Sequence, residues 1–251
     1  MSIWLIMGLG LLLELLLLIR GLRARLIQRY YFFYIYIASV TFVTGAAMLL
    51  NGTAPALYDR WYWPLQLGTL ITGYGILLEI LNHVLAPYPG AERFARFSGI
   101  GAFGAILCFA LVSPLIAPHW SPGTIIEFER DLRSVQAIFI CSLLAVVFYY
   151  GIGIGRNMNG MIMGYGLYIL TSLFSLTIRS YAGKPLDQIW LIQPLSFNIS
   201  LIIWLIALWS YCPNPAPDHM IHLEEDYGAL VARTKGVMGA IRAYIGKAAR
   251  T

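Results

Sequence analysis

The chain reads as an all-α membrane protein, a bundle of seven transmembrane helices over 1–212 followed by a Pro-rich linker and a basic amphipathic helix over 213–251. Three observations predict this class. Only 12% of the 251 residues are charged and mean hydropathy is +0.71, where soluble domains carry about a quarter charged residues. Seven apolar stretches approach the roughly 20 residues that a bilayer core requires. Lysine and arginine gather at alternate ends of those stretches.

Taken in order, the first stretch, Ile3–Ile19, lacks a basic leader and a small-residue cleavage site, and Arg20 follows it directly. It is expected to be a retained helix, with no cleaved signal peptide. The second, Tyr31–Leu50, stops at Asn51-Gly52-Thr53, read as a turn. That tripeptide also fits a glycosylation sequon, which has meaning only in a eukaryotic secretory pathway. The third, Trp63–Ala86, ends at Pro87-Tyr88-Pro89-Gly90, and the fourth, Gly99–Ala117, ends in the breaker run Pro118 to Gly123. The fifth and sixth, Leu132–Ile154 and Met161–Ile178, are separated by Gly155 to Gly160. This is the shortest connection, so the two are expected to be antiparallel neighbours. Gly183-Lys184-Pro185 precedes the seventh, Ile189–Tyr211.

Orientation follows from the basic residues. Arg20, Arg23, Arg25, Arg29, Arg93, Arg96, Arg156, Arg233, Lys235, Arg242, Lys247 and Arg250 fall on one side; Arg60, Arg130, Arg133, Arg179 and Lys184 fall on the other. The positive-inside rule makes the richer side cytoplasmic, and seven spans then put the N-terminus outside a plasma (inner) membrane. Trp61, Tyr62, Trp63, Trp120 and Trp190 lie at expected outer edges, and Tyr30, Tyr31, Tyr149, Tyr150, Trp209 and Tyr211 at inner ones, as amphipathic rings prefer.

After Pro213-Asn214-Pro215-Ala216-Pro217, Asp218 is placed to cap a new helix, with Glu224, Glu225 and Asp226 early in it where the dipole favours acids. Tyr227, Leu230, Val231, Val237, Ile241, Tyr244, Ile245 and Ala248 recur at helical spacing, with Arg233, Lys235, Arg242 and Lys247 mostly off that stripe. Such a helix lies on an anionic leaflet or docks on a partner.

Several motifs resemble chemistry without its context. Gly99-Ile100-Gly101-Ala102-Phe103-Gly104 matches G-x-G-x-x-G, but it opens an apolar helix and no strand precedes it, so close helix packing accounts for it and nucleotide binding does not. Gly151/Gly155 and Gly160/Gly164 are spaced i, i+4, the small-xxx-small pattern of tight packing; a hinge, or room for a flat ligand, is the rival reading. Cys108, Cys141 and Cys212 show no C-x-x-C spacing. His219 and His222, with Glu225 nearby, lack a full metal-ligand set, and His83 is the one histidine within a span, which disfavours a bis-histidine haem. None of the three lysines lies in a span, so a retinal Schiff base is excluded. No H-E-x-x-H, G-x-S-x-G or clustered aspartates appear, so no catalytic residue, metal or cofactor is expected, and no nucleic-acid partner.

Polar residues inside spans are functional candidates. Glu14 and Glu79 each lie about 10 Å below the cytoplasmic boundary at 1.5 Å per residue. Glu79, Asn82 and His83 share one helix face. They read either as a proton-carrying pair or as a polar tie, Glu79 bonded to His83, an Asn, a Tyr or an Arg. Glu14 is expected to reach toward the arginine-rich first loop. An outer polar group comprises Gln66, Arg133, Gln136, Arg179 and Gln193. Arg133 and Arg179 suit a carboxylate or phosphate, or a rim paired with Glu127, Glu129, Asp131 and Asp187.

The segments Glu79–Gly90 and Gly155–Gly166 resemble stretches of uncharacterised bacterial seven-helix membrane proteins, a resemblance that implies the bundle and no activity. The expected function is therefore a non-catalytic binding or sensing module for a small or lipophilic ligand or a membrane partner. The alternatives are a structural subunit of a larger membrane complex, contacting its partner through glycine-rich faces or the tail helix, and a proton-coupled transporter built on Glu79 and His83. The absence of an inverted repeat counts against transport.

Overall fold

The computed structural model describes residues 3–116, 122–182, 189–215 and 223–248. It is 89% helix, with no strand among the described residues. The helices are α1 (Ile3–Arg23), α2 (Tyr31–Thr53), α3 (Pro55–Leu85), α4 (Pro89–Ile116), α5 (Pro122–Tyr150), α6 (Arg156–Ala182), α7 (Ile189–Ala207) and α8 (Leu223–Ala248), with one 3-10 turn at Leu26–Gln28. Among the described residues, five stretches are long and apolar enough to cross a membrane: Trp4–Arg23, Tyr31–Leu50, Pro64–Leu85, Glu129–Tyr150 and Arg156–Ile178. A shorter apolar run, Leu191–Ala207, fills α7.

The bundle is apolar on its outside as well as within, and it buries several polar side chains. Leu12, Leu49, Phe148, Phe174 and Ile206 point outward, while Glu14, Glu79, Glu129, Arg133, Gln136, Asn157 and Asn198 are buried. An apolar exterior of this extent associates in water but is at rest in hydrocarbon. Hydroxyls obey the same constraint: Ser39, Thr41, Ser134, Thr171 and Ser200 each donate to the carbonyl four residues earlier in their own helix.

Six helices close a ring. α1 packs on α2 and α7, α2 on α3, α3 on α5 and α6, α5 on α6, and α6 on α7. α4 lies outside against α3 and α5, and α8 lies against α4. One end of the bundle ties the chain together. Arg20, near the end of α1, donates from Nε (2.8 Å) and Nη2 to the Trp209 carbonyl beyond α7. Arg156, opening α6, donates to Ser210 Oγ at 2.6 Å. Asn214 donates to the His83 carbonyl near the end of α3. Tyr150, closing α5, donates to Asp226 Oδ2 of α8 at 3.0 Å, and Phe94 of α4 meets Tyr227 of α8 with ring centres 6.2 Å apart. Successive helices therefore alternate in direction.

Packing at the α6–α7 seam explains two glycines. A side chain on Gly160 would run into Ala207 Cβ, and one on Gly164 into the Trp204 indole. Trp204 is fully buried, its Nε1 donates to the Met161 carbonyl (3.3 Å), and its ring meets Phe33, Tyr36 and Phe197. The seam is small-xxx-small packing, with no room for a flat ligand.

Several expected boundaries move. Asn51-Gly52-Thr53 is helical, the last turn of α2, and Ala54 alone joins α2 to α3. That connection, and not the one between α5 and α6, is the shorter. α5 ends at Tyr150, not Ile154: Gly151 takes φ +64 and the Ile152 N–H reaches back to the Val147 carbonyl at 3.0 Å. This is a Schellman cap, and Val147 and Ile152, both buried, supply its apolar contact. The break is Gly151–Gly155, so α6 resumes at Arg156, not Met161. α7 stops at Ala207, not Tyr211, because buried Asn157 of α6 holds the chain beyond it. Asn157 donates to the Ala207 (3.2 Å) and Ser210 (3.0 Å) carbonyls and accepts the Cys212 N–H (2.6 Å).

Candidate functional site

Glu79 is a helix cap supplied from another helix. α2 starts after Tyr30, which offers no side-chain cap of its own. Glu79 of α3 fills the gap: Phe32 N–H donates to Oε1 at 3.2 Å and Phe33 N–H to Oε2 at 2.9 Å. The carboxylate thus satisfies amides that a helix start leaves orphaned, and it sits at the positive end of the α2 dipole. His83 does not touch that carboxylate. Its Nδ1 lies 2.9 Å from the Glu79 backbone carbonyl and, facing an acceptor, must donate. The expected Glu79–His83 side-chain pair, and the expected Asn, Tyr or Arg partner, give way to backbone amides. Asn82 keeps a buried Oδ1 without a partner. Glu79→Gln retains one good acceptor and loses the charge, so it is expected to lower unfolding stability by about 1–2 kcal/mol. A thermal melt in detergent reads that loss directly.

The outer polar group is partly brought together, and it is closed. Arg133 is 2% exposed, and Gln136 is fully buried beside it. Arg133 Nη2 lies 3.7 Å from Glu129 Oε1 and donates to the Tyr168 hydroxyl at 3.1 Å; Nη1 approaches Gln136 Oε1 at 3.4 Å. Gln66 donates to the same Glu129 oxygen at 3.0 Å. Arg133 Nε, Gln136 Nε2 and the Tyr165 hydroxyl are buried without a protein partner. Asp131 does not join the group: it pairs with Arg130 at 3.1 Å. Gln193 donates to Ser172 Oγ of α6 at 3.3 Å. The side chain of Arg179, with Glu127 and Asp187, lies outside the described residues, as do His119, His219, His222 and the expected cap Asp218. Of the two readings of Arg133, a site for a carboxylate or phosphate and pairing with neighbouring acids, the structure has the pairing, with Glu129, and has it buried and not on an open rim.

The bundle leaves open space at the opposite end. A cavity of about 500 Å³ opens between α3, α4, α5 and α8. Its wall is almost wholly apolar, formed by Leu81 and Leu85 of α3, Phe94 and Ala95 of α4, Phe139, Leu143 and Val146 of α5, and Leu223 and Leu230 of α8. The polar fittings are Ser98, Ser142 and the Tyr150–Asp226 hydrogen bond at the rim. A volume between roughly 300 and 1,000 Å³ with this lining is what drug-sized apolar ligands occupy. A smaller polar cleft of about 130 Å³ lies at the same end, bounded by Arg29, Tyr30, His83, Tyr211 and Asn214, where the Arg29 guanidinium stacks 3.7 Å from the Tyr211 ring centre.

Sequence reasoning missed the cavity, because its wall comes from four helices whose residues look like ordinary span positions. It also missed Asn157, which holds the chain beyond α7, the buried tyrosines Tyr36, Tyr165 and Tyr168 near Arg133, and buried Tyr74, which donates to the Leu132 carbonyl. A signal existed: these tyrosines sit well inside apolar stretches, away from the interfacial belt where such rings usually lie. No protein-family model, curated protein or solved structure matches the chain.

Proposed function

We propose that the chain is a non-catalytic binding or sensing protein that crosses a membrane seven times and takes one lipophilic ligand in the cavity between α3, α4, α5 and α8. The cavity is the observation that carries the reading. The occupant fits by apolar contact, and the tail helix, forming part of the wall, is the element that its presence would stabilise. Seven crossings are supported by alternation: α4 and α7 complete the series begun by the five apolar helices, and the ends that carry Arg20, Arg29 and Arg156 meet at one face. The positive-inside rule puts that face in the cytoplasm of a plasma membrane. The later part of α8, with Val237 and Met238 exposed, is then free to lie on the inner leaflet.

Two contacts bear on the other readings. Gly160 and Gly164 already face Ala207 and Trp204, so these glycines are not free for a partner subunit. The Glu79 carboxylate accepts two backbone amides, a structural task that counts against a carrier role. To test the ligand reading, Ala95→Trp would place an indole in the cavity. The purified wild type should bind a fluorescent long-chain fatty acid analogue, and the variant should lose at least tenfold in affinity with its helix content unchanged. Equal affinity in the two proteins would discard the cavity as the binding site.

A further inference from the structure

Of the arginines gathered at one end of the bundle, two are already engaged. Arg20 donates to the Trp209 carbonyl and stacks on the Trp209 ring at 4.9 Å. Glu14, which its spacing sends toward this loop, is instead buried and makes no ion pair among the described residues. Arg156 is bonded to Ser210. Arg29 differs from both. Its guanidinium lies over the Tyr211 ring, 3.7 Å from the centre, and makes no hydrogen bond or ion pair among the described residues. A ring contact occupies the face of a guanidinium and leaves the N–H donors along its edge.

Arg29 borders the cleft of about 130 Å³ whose other walls are Tyr30, His83, Tyr211 and Asn214. Those walls are fixed. Tyr30 is buried and packs against the His83 ring with centres 5.4 Å apart. Asn214 donates to the His83 carbonyl at 3.1 Å and accepts the Gly155 N–H at 3.0 Å. The Nδ1 of His83 is spent on the Glu79 carbonyl, so Nε2 is the polar atom its ring has left. The Glu79 carboxylate, one turn back, is held by the Phe32 and Phe33 amides. The lining residues therefore bring one cation, two phenols and an imidazole nitrogen, and no acid.

We propose that this cleft binds a single phosphate group, a lipid phosphodiester or free inorganic phosphate, with Arg29 as its anchor. A guanidinium fork matches two phosphate oxygens, and the ring beneath it fixes the plane of the fork before the anion arrives. The space suits one phosphate-sized group and is too small for an acyl chain. A lipid would keep its tails outside, where Tyr31 and Phe32, the next residues along the chain, are exposed. The site is separate from the apolar cavity and does not rest on the ligand proposed there.

Native mass spectrometry of the purified full chain, in a maltoside detergent free of phosphate, tests the site in two arms, one with phosphatidylglycerol and one with inorganic phosphate. Wild type should hold one equivalent in at least one arm. Arg29→Gln should lose about tenfold or more in affinity there, as the loss of a charge-assisted hydrogen-bonded pair predicts. Arg29→Lys keeps the charge and loses the fork, so it should also bind more weakly than wild type. Arg23→Gln alters an exposed arginine of the same loop that does not line the cleft, and should bind like wild type. An Arg29-dependent signal in the lipid arm assigns the site to a phosphodiester headgroup, and one in the phosphate arm assigns it to the free ion. Binding in neither arm, equal binding by Arg29→Gln, or an equal loss in Arg23→Gln would each overturn the proposal, the last by reducing it to diffuse attraction to a basic face.

Discussion

Arg133→Ala should lower unfolding stability by about 3–5 kcal/mol, because it leaves the Glu129 carboxylate buried without its cation. Glu129 is 8% exposed and its Oε1 keeps only the Gln66 amide as a donor once Arg133 is gone. The guanidinium also fills space against the Tyr168 ring, 4.9 Å from its centre, and alanine vacates that space. A buried ion pair is asymmetric in energy: breaking it is costly, while replacing both partners by apolar groups of similar volume is often neutral. The double variant Arg133→Met with Glu129→Leu should therefore recover most of what Arg133→Ala loses. Thermal or denaturant unfolding of the two in the same detergent decides the point. If Arg133→Ala melted like the wild type, the pair would be a solvated rim after all. If the double variant fell further than the single, Arg133 would owe its place to something other than Glu129, such as a group bridging its unpartnered Nε with Gln136 Nε2 and Tyr165.

The contrast between what was legible in the sequence and what was not has a physical origin. The five helices long enough to cross a membrane are visible because lipid demands long apolar runs, a one-dimensional signal. Gly151 marks the end of α5 within a few residues because only a residue without Cβ takes its φ readily. Buried polar residues were legible as candidates for the same reason: Glu14, Glu79 and Arg133 stand out against apolar neighbours. Their partners were not. Glu79 bonds residues 46 and 47 positions away, Asn198 donates to the Ile6 carbonyl 192 positions away, and Arg133 meets Tyr168 from the next helix. Backbone amides and carbonyls as partners carry no sequence signature at all. The cap on α2 was misread as a side-chain pair for that reason, and the Asn51–Thr53 segment was misread as a turn because Asn-Gly is a turn signal, whereas the stop is Ala54, held out of the helix by Pro55.

Closing the α6–α7 seam with extra atoms should have an effect of comparable size. Gly164→Leu puts four carbons where the Trp204 indole lies, and that indole has nowhere to go: Phe33, Tyr36 and Phe197 surround it edge-on, with centres 5.2–6.4 Å away. Overpacking of a core costs about 1–3 kcal/mol and sometimes more, and a locked tryptophan places this case at or above the upper end. The expected result is a sharp drop in melting temperature together with a change in Trp204 fluorescence, read against a background variant that lacks the other tryptophans. Gly160 permits a cleaner version. Gly160→Ala collides with the Ala207 methyl, so it should destabilise, and Ala207→Gly added to it should restore much of the loss by returning the same volume from the opposite helix. Gly45→Ala and Gly101→Ala, where a new Cβ meets nothing within 4 Å, are the controls and should be silent or slightly stabilising through helix propensity. A Gly160→Ala protein as stable as those controls would mean that α6 and α7 stand further apart than described, and the fixed path of the chain from Ser210 to Asn214, on which the basic face of the bundle depends, would lose its anchor.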